Sequence, residues 1–358
     1  MIISRTPLRA SLVGGGSDLE AFYRHEPGAV VTTAIRKYIY ITVNRKFDSR
    51  IRASYAVTEI VDSVAEIRHE LIRECLRKVQ VDGGIEITSI SDIPSQGTGL
   101  GSSSSYTVGL LKALYAHKEQ HVGAERLARE ACEIEIECCG KPIGKQDQYI
   151  TAYGGLQYIQ FNPDGSVLVD PIVCSMTTRH ALESNLVLLY TGMTRSADPI
   201  LAEQKRNLTD ARCRRTLRRL VQLADELRFA LTANDLEAFG EILHESWTIK
   251  KTMAHGVSNG HIDDWYERAR AHGAVGGKIT GAGGGGFLLL YAPRETHPQI
   301  FRALPDLRPV RLGLEPQGSK IIYIEESDPI EPYAWDVEAP YSSGMSLERP
   351  ESRAAYLP

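Results

Sequence analysis

A loop of alternating glycines between a predicted strand and a predicted helix constrains this chain more than any other feature. Residues 94–104 read Pro-Ser-Gln-Gly-Thr-Gly-Leu-Gly-Ser-Ser-Ser. The preceding residues, 85–90, alternate as in a half-buried strand, and the following helix is predicted to end near His117. Glycine lets a ligand approach the backbone closely, and free N–H groups at a helix start favour phosphate. The predicted phosphate-binding residues are Gly97, Gly99, Leu100, Gly101, Ser102, Ser103 and Ser104. A flexible Gly/Ser linker is the alternative.

Two carboxylates further along are candidates for the chemistry. Glu135 falls on the apolar face of a helix predicted over about residues 124–139, where a carboxylate is rare unless it is paired or binds a metal. A buried salt bridge, for instance to Arg126, is the alternative. Asp147 lies twelve positions later. It could accept the proton of a substrate hydroxyl, or it could be an ordinary helix cap or turn residue.

Two further glycine segments suggest close approach to the backbone. Gly14-Gly15-Gly16-Ser17-Asp18 precedes a short helical pattern, so Asp18 is either an N-cap or an acceptor for sugar hydroxyls. Arg9, nearby in sequence, could hold a phosphate or could lie on the surface. The run from 281 to 286 is too glycine-rich for ordinary stability. It is predicted to pack beneath a phosphate site, and a tight turn or bulge is the alternative.

Length and composition predict the number of domains and argue against some classes of partner. A chain of 358 residues predicts two domains, 1–165 and 166–326, divided near the turn signal at 162–165 and followed by a Pro-, Ser- and Glu-rich tail, 327–358. The net charge of −4 argues against nucleic-acid binding. No apolar run spans a bilayer, so no membrane partner is expected. Six cysteines without Cys-x-x-Cys spacing, and a start without an apolar leader, favour a cytoplasmic location.

These motifs, taken in order, resemble the GHMP kinase superfamily. The central loop at 94–104 and the segment from Lys278 to Gly286 carry most of the resemblance. The first motif, Thr6-Pro7-Leu8-Arg9 with residues 14–18, departs from the Gly-Glu-His-Thr-Asp of galactokinase. That variant, together with residues 144–148 and 190–196, is similar to the heptose kinase branch of the superfamily.

The resemblance implies an α+β fold, with a left-handed β-α-β unit in the N-terminal domain and a ferredoxin-like C-terminal domain. It implies an ATP- and Mg²⁺-dependent kinase that phosphorylates the anomeric hydroxyl of a heptose 7-phosphate for surface or capsule polysaccharide synthesis. The alternatives are a kinase of a fucose- or galactose-type sugar, a non-catalytic sugar and ATP sensor, and a decarboxylase of the same fold.

Residue roles follow from the same resemblance. Ser103 and Glu135 would bind magnesium, and Asp147 would be the base. The expected substrate-binding residues are Arg9, Gly15, Gly16, Ser17, Asp18, Arg195, Gly281, Ala282 and Gly283, with Arg9 and Arg195 as the candidates for the substrate phosphate.

Overall fold

The computed structural model describes residues 1–94, 97–194 and 197–325. Residues Met1–Ile324 form one compact unit that contains two β-sheets. In the described part of the chain, every helix is too short or too polar to cross a lipid bilayer.

Strands of the described residues fall into a large mixed sheet and a small antiparallel one. Their bounds are Ile2–Val13 (β1), Gly28–Arg45 (β2), Ile51–Ser54 (β3), Thr58–Val61 (β4), Ile85–Ser91 (β5), Leu156–Phe161 (β6), Val167–Pro171 (β7), Leu186–Tyr190 (β8), Gly276–Ile279 (β9), Phe287–Tyr291 (β10), Arg308–Val310 (β11) and Lys320–Ile324 (β12). The large sheet runs β12-β1-β2-β5-β3-β4, and β2 also pairs with β6, which pairs with β7. The small sheet runs β11-β8-β10-β9.

Helices pack on these sheets. Their bounds are Glu20–Tyr23 (α1), Glu70–Val79 (α2), Ser102–His117 (α3), Ala124–Cys132 (α4), Gln146–Tyr153 (α5), Met176–Asn185 (α6), Asp198–Asn207 (α7), Ala211–Thr232 (α8), Leu236–Lys250 (α9), Gly260–Ala271 (α10) and His297–Ala303 (α11). Helix α3 lies against β1 and β2, α5 lies against α3 and α4, and α9 lies against β9 and α8. The start of α3 is thereby held over the large sheet, where the glycine loop meets it.

Strand β2 is a single long strand, although the sequence predicts two, 29–34 and 38–43. Pro7 pairs with Tyr38 and the next residue, Leu8, pairs with Ile35, so two residues of β2 are left over. Such a bulge interrupts the alternation of side chains and resembles a break in the sequence pattern. The bulge lets one half of β2 pair with β6 and the other half with β5.

Two predicted helices are divided. The helix expected over about 199–232 is α7 and α8, because Asp210 caps α8 by accepting a hydrogen bond from the backbone N–H of Arg212 at 2.9 Å. The helix expected over 124–139 is α-helical to Cys132 and then π-helical over Glu133–Cys138. Such π-helical turns often occur at functional sites.

The α+β fold class is confirmed. The predicted division near residue 165 stays a prediction, and that residue lies in the turn between β6 and β7 of the large sheet. The tail predicted at 327–358 and the loop positions 95 and 96 lie outside the described residues.

Gly109 allows α3 to approach β1 closely. A methyl group on Gly109 would lie 2.6 Å from the Thr6 hydroxyl, and the carbonyl of Gly109 accepts a hydrogen bond from the Ser4 hydroxyl at 2.8 Å. The glycine therefore sets the distance between the helix and the sheet that positions the loop.

We expect Gly109→Ala to lower the free energy of unfolding by about 1–2 kcal/mol, because overpacking outweighs the gain in helix propensity. Gly260→Ala is the matched control: nothing lies within 4 Å of its added methyl group. Urea denaturation of both variants measures the difference. An equally stable or more stable Gly109→Ala would contradict the close packing.

Candidate active site

A cleft of about 730 Å³ brings together most of the residues singled out from the sequence. Its lining includes the loop before α3, the glycine run before β10, the segment after β1 and the start of α5. Segments far apart in the chain therefore meet at one place, as an active site requires.

The floor of the cleft is a backbone contact between the two glycine loops. Gly99 has φ +70°, and a methyl group on it would lie 2.5 Å from the carbonyl oxygen of Thr280. A methyl group on Gly281, at φ +67°, would lie 2.6 Å from the Cα of Gly99. The Thr280 hydroxyl donates to the carbonyl of Thr98 at 3.1 Å. Only glycine fits at 99 and 281, so the second loop packs against the first; that this contact lies beneath a phosphate site stays a prediction.

The first turn of α3 opens towards this floor. Its N-cap is Gly101, with φ +75°, which has no side chain to cap the helix. The Ser105 hydroxyl donates to the carbonyls of Gly101 and Pro7 at 3.0 and 2.9 Å, which fixes the turn against β1. Ser102, Ser103 and Ser104 all line the cleft. The N–H groups of this turn are available to an anion.

Glu135 is fully buried beside α3. It accepts hydrogen bonds from the Ser103 hydroxyl and, at 2.6 Å, from the Gln148 side-chain amide. Burial raises the pKa of Glu135 to about 7, against the opposing effect of these hydrogen bonds. The salt bridge with Arg126 does not form in the described structure, since the Arg126 guanidinium donates to Glu130 at 2.8 Å.

Asp147 forms a two-point ion pair with Arg9. Nε and Nη2 of Arg9 donate to the two carboxylate oxygens at 2.7 and 2.6 Å, and Nη1 donates to the carbonyl of Gly99 at 2.6 Å. Arg9 is 5% exposed, so it is not a surface residue. Asp147 lies in the first turn of α5 but does not cap it. The pair fixes the orientation of the carboxylate at the cleft wall.

Asp18 is buried beside the start of α5. Its carboxylate accepts from the N–H of Gly16 at 2.9 Å and from the Gln146 side-chain amide at 3.0 Å. Burial raises the pKa of Asp18 above its ordinary value. Gly144 is required here, because a methyl group on it would lie 2.0 Å from the carboxylate. Asp18 is not a helix cap, since α1 begins after Leu19.

Most of the predicted site residues line the cleft, and three described ones do not: Glu135, which is fully buried behind the cleft lining, Ser17 and Leu100. Ser17 is fully buried, and its hydroxyl donates to the carbonyls of Gly14 and Ala29 at 2.8 and 3.0 Å, so it holds the turn together. Leu100 is also fully buried, and its carbonyl accepts from the N–H of Arg9 at 3.0 Å. Arg195 lies outside the described residues.

Sequence reasoning missed two buried lysines. Lys250, at the end of α9, lines the cleft and donates to the carbonyl of Gly281 at 2.9 Å; burial lowers its pKa to about 8. Lys278, in β9, donates to the carbonyl of Leu12 at 3.1 Å, and burial holds its pKa well below the ordinary value. Lys250 is followed by Lys251 and reads as a solvated helix end, so the sequence carries no signal for it. Lys278 belongs to the third motif, which marks its segment but not its burial.

Comparisons with known proteins agree with this geometry. The family model described as GHMP kinases N terminal domain matches residues 64–155, and the one described as GHMP kinases C terminal matches residues 227–307. D-glycero-alpha-D-manno-heptose 7-phosphate kinase from Campylobacter jejuni is 31% identical over 318 residues, covering 85% of this chain and 93% of that protein.

Two solved structures are also similar. One is a D-glycero-D-manno-heptose 1-phosphate kinase from Bacteroides thetaiotaomicron, with a TM-score of 0.75 and 26% identity over 91% of this chain and all of the other. The other is a putative sugar kinase from Campylobacter jejuni, with a TM-score of 0.74 and 28% identity over 89% of this chain and 97% of the other. The chain therefore belongs to the GHMP kinase family, has its two-domain α+β fold and is a kinase.

Proposed function

We propose that this kinase transfers the γ-phosphoryl group of ATP to the anomeric hydroxyl of D-glycero-D-manno-heptose 7-phosphate. The product would be the 1,7-bisphosphate, a precursor of nucleotide-activated heptose for surface polysaccharides. The observation that carries the proposal is one cleft in which the open first turn of α3 faces the Arg9–Asp147 pair and the buried Asp18. The similarity to the heptose 7-phosphate kinase of Campylobacter jejuni supports the choice of sugar.

The loop before α3 suits the phosphates of ATP. The backbone from Gly97 to Ser104 supplies N–H groups at a helix N-terminus, where the helix dipole also favours negative charge. Gly281, Ala282 and Gly283 line the cleft opposite them. The absence of side chains at 99 and 281 lets the two loops pack against each other, and at 101 it leaves room for Arg9.

Glu135 and Ser103 suit a magnesium ion that arrives with ATP. Both offer oxygen, the donor that magnesium prefers, and they already lie within hydrogen-bonding distance of each other. The described residues contain no cluster of three or more acidic, histidine or cysteine side chains that would hold a metal alone. Magnesium commonly relies on one or two carboxylates together with the phosphates. When bound, it neutralises charge on the phosphoryl group.

Asp147 is our candidate for the base that accepts the proton of the sugar hydroxyl. Its carboxylate is 22% exposed on the cleft wall, close to Gly101 of the phosphate loop: a methyl group on that glycine would lie 3.4 Å from Oδ2. The bidentate bond from Arg9 keeps the carboxylate in one orientation and restricts where the hydroxyl can lie. Because Arg9 is committed to this pair, Arg195 is our candidate for binding the 7-phosphate.

Asp18 is our candidate for binding hydroxyl groups of the sugar. A buried carboxylate is a strong acceptor for hydroxyl groups, and the neighbouring glycines, Gly15 and Gly16, leave room for a sugar ring. Positioning of this kind supplies much of the rate enhancement in phosphoryl transfer.

A panel of sugars tests the substrate. We expect turnover with D-glycero-D-manno-heptose 7-phosphate and ATP to exceed that with mannose, fucose, galactose and the unphosphorylated heptose, because only the first offers both the heptose ring and the phosphate. ADP release measures turnover, and ³¹P NMR locates the new phosphate at C1. Preference for fucose or galactose would overturn the heptose assignment and leave a kinase of another sugar. ATP binding without transfer to any sugar would favour a sensor.

We expect Asp147→Asn to lower kcat by about 10²–10⁴-fold, the usual contribution of a general base, while ATP still binds. Asp170→Asn is the matched control, since Asp170 pairs with Arg228 outside the cleft. Steady-state kinetics at saturating substrate, with circular dichroism to check folding, make the comparison. A folded Asp147→Asn enzyme with nearly full turnover would remove the base from this position.

A further inference from the structure

Three polar side chains converge on the Cα of Gly15. A methyl group placed there would lie 3.5 Å from the Ser11 hydroxyl, 3.5 Å from the Gln146 amide nitrogen and 3.7 Å from the Lys250 ammonium. All four residues line the cleft. The space above Gly15 is therefore surrounded by polar atoms contributed by β1, α5 and α9.

Two of these side chains hold buried polar atoms that lack hydrogen-bond partners in the described structure. They are the hydroxyl of Ser11, which is 4% exposed, and the side-chain carbonyl Oε1 of Gln146. Buried polar atoms are almost always satisfied in native proteins. The Gln146 amide nitrogen donates to Asp18 at 3.0 Å, which turns Oε1 away from Asp18 as a free acceptor.

Lys250 adds donors to the same space. It is 6% exposed, and its hydrogen bond to the carbonyl of Gly281 uses one of the three ammonium hydrogens. The charged groups that act on it are the carboxylates of Asp18 and Asp147 and the cations of Arg9 and Lys278. With a pKa of about 8, Lys250 is mainly charged at pH 7.

The mixture of donors and acceptors selects the ligand chemistry. A hydroxyl group can accept a hydrogen bond from an ammonium and donate one to an amide carbonyl at the same time. A phosphate has acceptor oxygens only, and it would face the acceptor Oε1 of Gln146 and the nearby carboxylate of Asp18. The space therefore suits adjacent hydroxyls of a sugar rather than an anion.

We propose that Ser11, Gln146 and Lys250 form a hydroxyl-binding subsite over Gly15, in which Lys250 donates to one hydroxyl of the sugar while Gln146 and Ser11 bind that hydroxyl or its neighbour. The inference rests on the proposed sugar kinase function and extends it by naming residues that determine sugar recognition. The hydrogen bond from Lys250 to Gly281 links the subsite to the glycine run on the opposite side of the cleft.

Lys250→Met tests the donor. The substitution keeps the length of the side chain and removes its charge, and we expect the KM for the sugar to rise about 10- to 100-fold, as expected for loss of a charge-assisted hydrogen bond. The KM for ATP should change by less than about twofold. Thermal stability should stay equal or rise, because a buried charge is removed.

Gly15→Ala tests the space itself. The added methyl group makes only ordinary contacts in the free protein, so the variant should fold, but the methyl group narrows the space in which the hydroxyl would bind. We expect the KM for the sugar to rise and ATP binding to persist. Gly260→Ala, at an open position outside the cleft, should match the unaltered enzyme.

The pH dependence gives a second readout. Above about pH 8 the ammonium of Lys250 loses its proton, so the KM for the sugar should increase in the unaltered enzyme. That increase should be absent in Lys250→Met. This pH dependence of the sugar KM is expected if Lys250 binds the sugar directly. It would not arise if Lys250 only supported the loop at Gly281.

The assays use whichever sugar of the panel the unaltered enzyme phosphorylates best. If the heptose assignment is wrong, the unaltered enzyme will prefer another sugar. The subsite is then tested by the KM of the variants for that preferred sugar. Unchanged sugar KM in both Lys250→Met and Gly15→Ala would overturn the subsite. The subsite would also be overturned if Lys250→Met lowered stability and raised the KM for ATP but left the KM for the sugar unchanged. Lys250 would then only support the loop at Gly281. If no sugar is phosphorylated, the proposed function fails and the subsite fails with it.

Discussion

The contact between Gly99 and Gly281 is the constraint on which the site depends. Side chains at these positions would separate the two loops, since the added atoms would lie about 2.5 Å from backbone atoms of the facing loop. The contact joins the strand–loop–helix unit of the large sheet to the small sheet through β9 and β10. It also brings Lys250, which binds the carbonyl of Gly281, within reach of the segment after β1. The loop before α3, Asp147 and the segment after β1 are therefore brought together by backbone packing.

Around this contact the protein buries several charges, each of which costs free energy unless it is compensated. Arg9 and Asp147 compensate each other with two hydrogen bonds. Glu135 has hydrogen-bond donors but, among the residues that the structure describes, no cation beside it, and burial raises its pKa. Lys250 is held by one carbonyl and distant carboxylates. Lys250 lines the cleft, whereas Glu135 is fully buried and hydrogen-bonded to Ser103, which does line the cleft.

The sequence predicted the parts of the fold that have strong local signals. The glycine loop, the apolar helix α3 and the alternating strand β5 all lie where the pattern placed them. Strand β1 was missed because it is buried on both faces over most of its length and shows no alternation. Strand β9 was hidden within a glycine-rich run that reads as a loop. The bulge in β2 depends on pairing with β1, a long-range feature without a local signature.

Residues of the candidate site could be predicted where the neighbouring sequence carries a signal for them, and not where their role depends on distant residues. Glu135 and Asp18 were singled out because a carboxylate on an apolar helix face or beside three glycines is unusual, whereas the role of Asp147 came from the resemblance to the family. The hydrogen-bond partners of these carboxylates were harder to predict from the sequence, because Arg9 and Asp147, for example, are 138 positions apart in the chain. Lys250 and Ser11 look like ordinary polar residues and gain meaning only when the fold places them over Gly15.

A crystal structure with a non-hydrolysable ATP analogue and magnesium tests the central claim most directly. The account predicts that the β- and γ-phosphates lie within hydrogen-bonding distance of the backbone N–H groups between Gly97 and Ser104, with magnesium on Ser103 and Glu135. It also predicts that the γ-phosphate faces Asp147. A nucleotide bound elsewhere, with this loop empty and Glu135 still bonded only to Ser103 and Gln148, would contradict it.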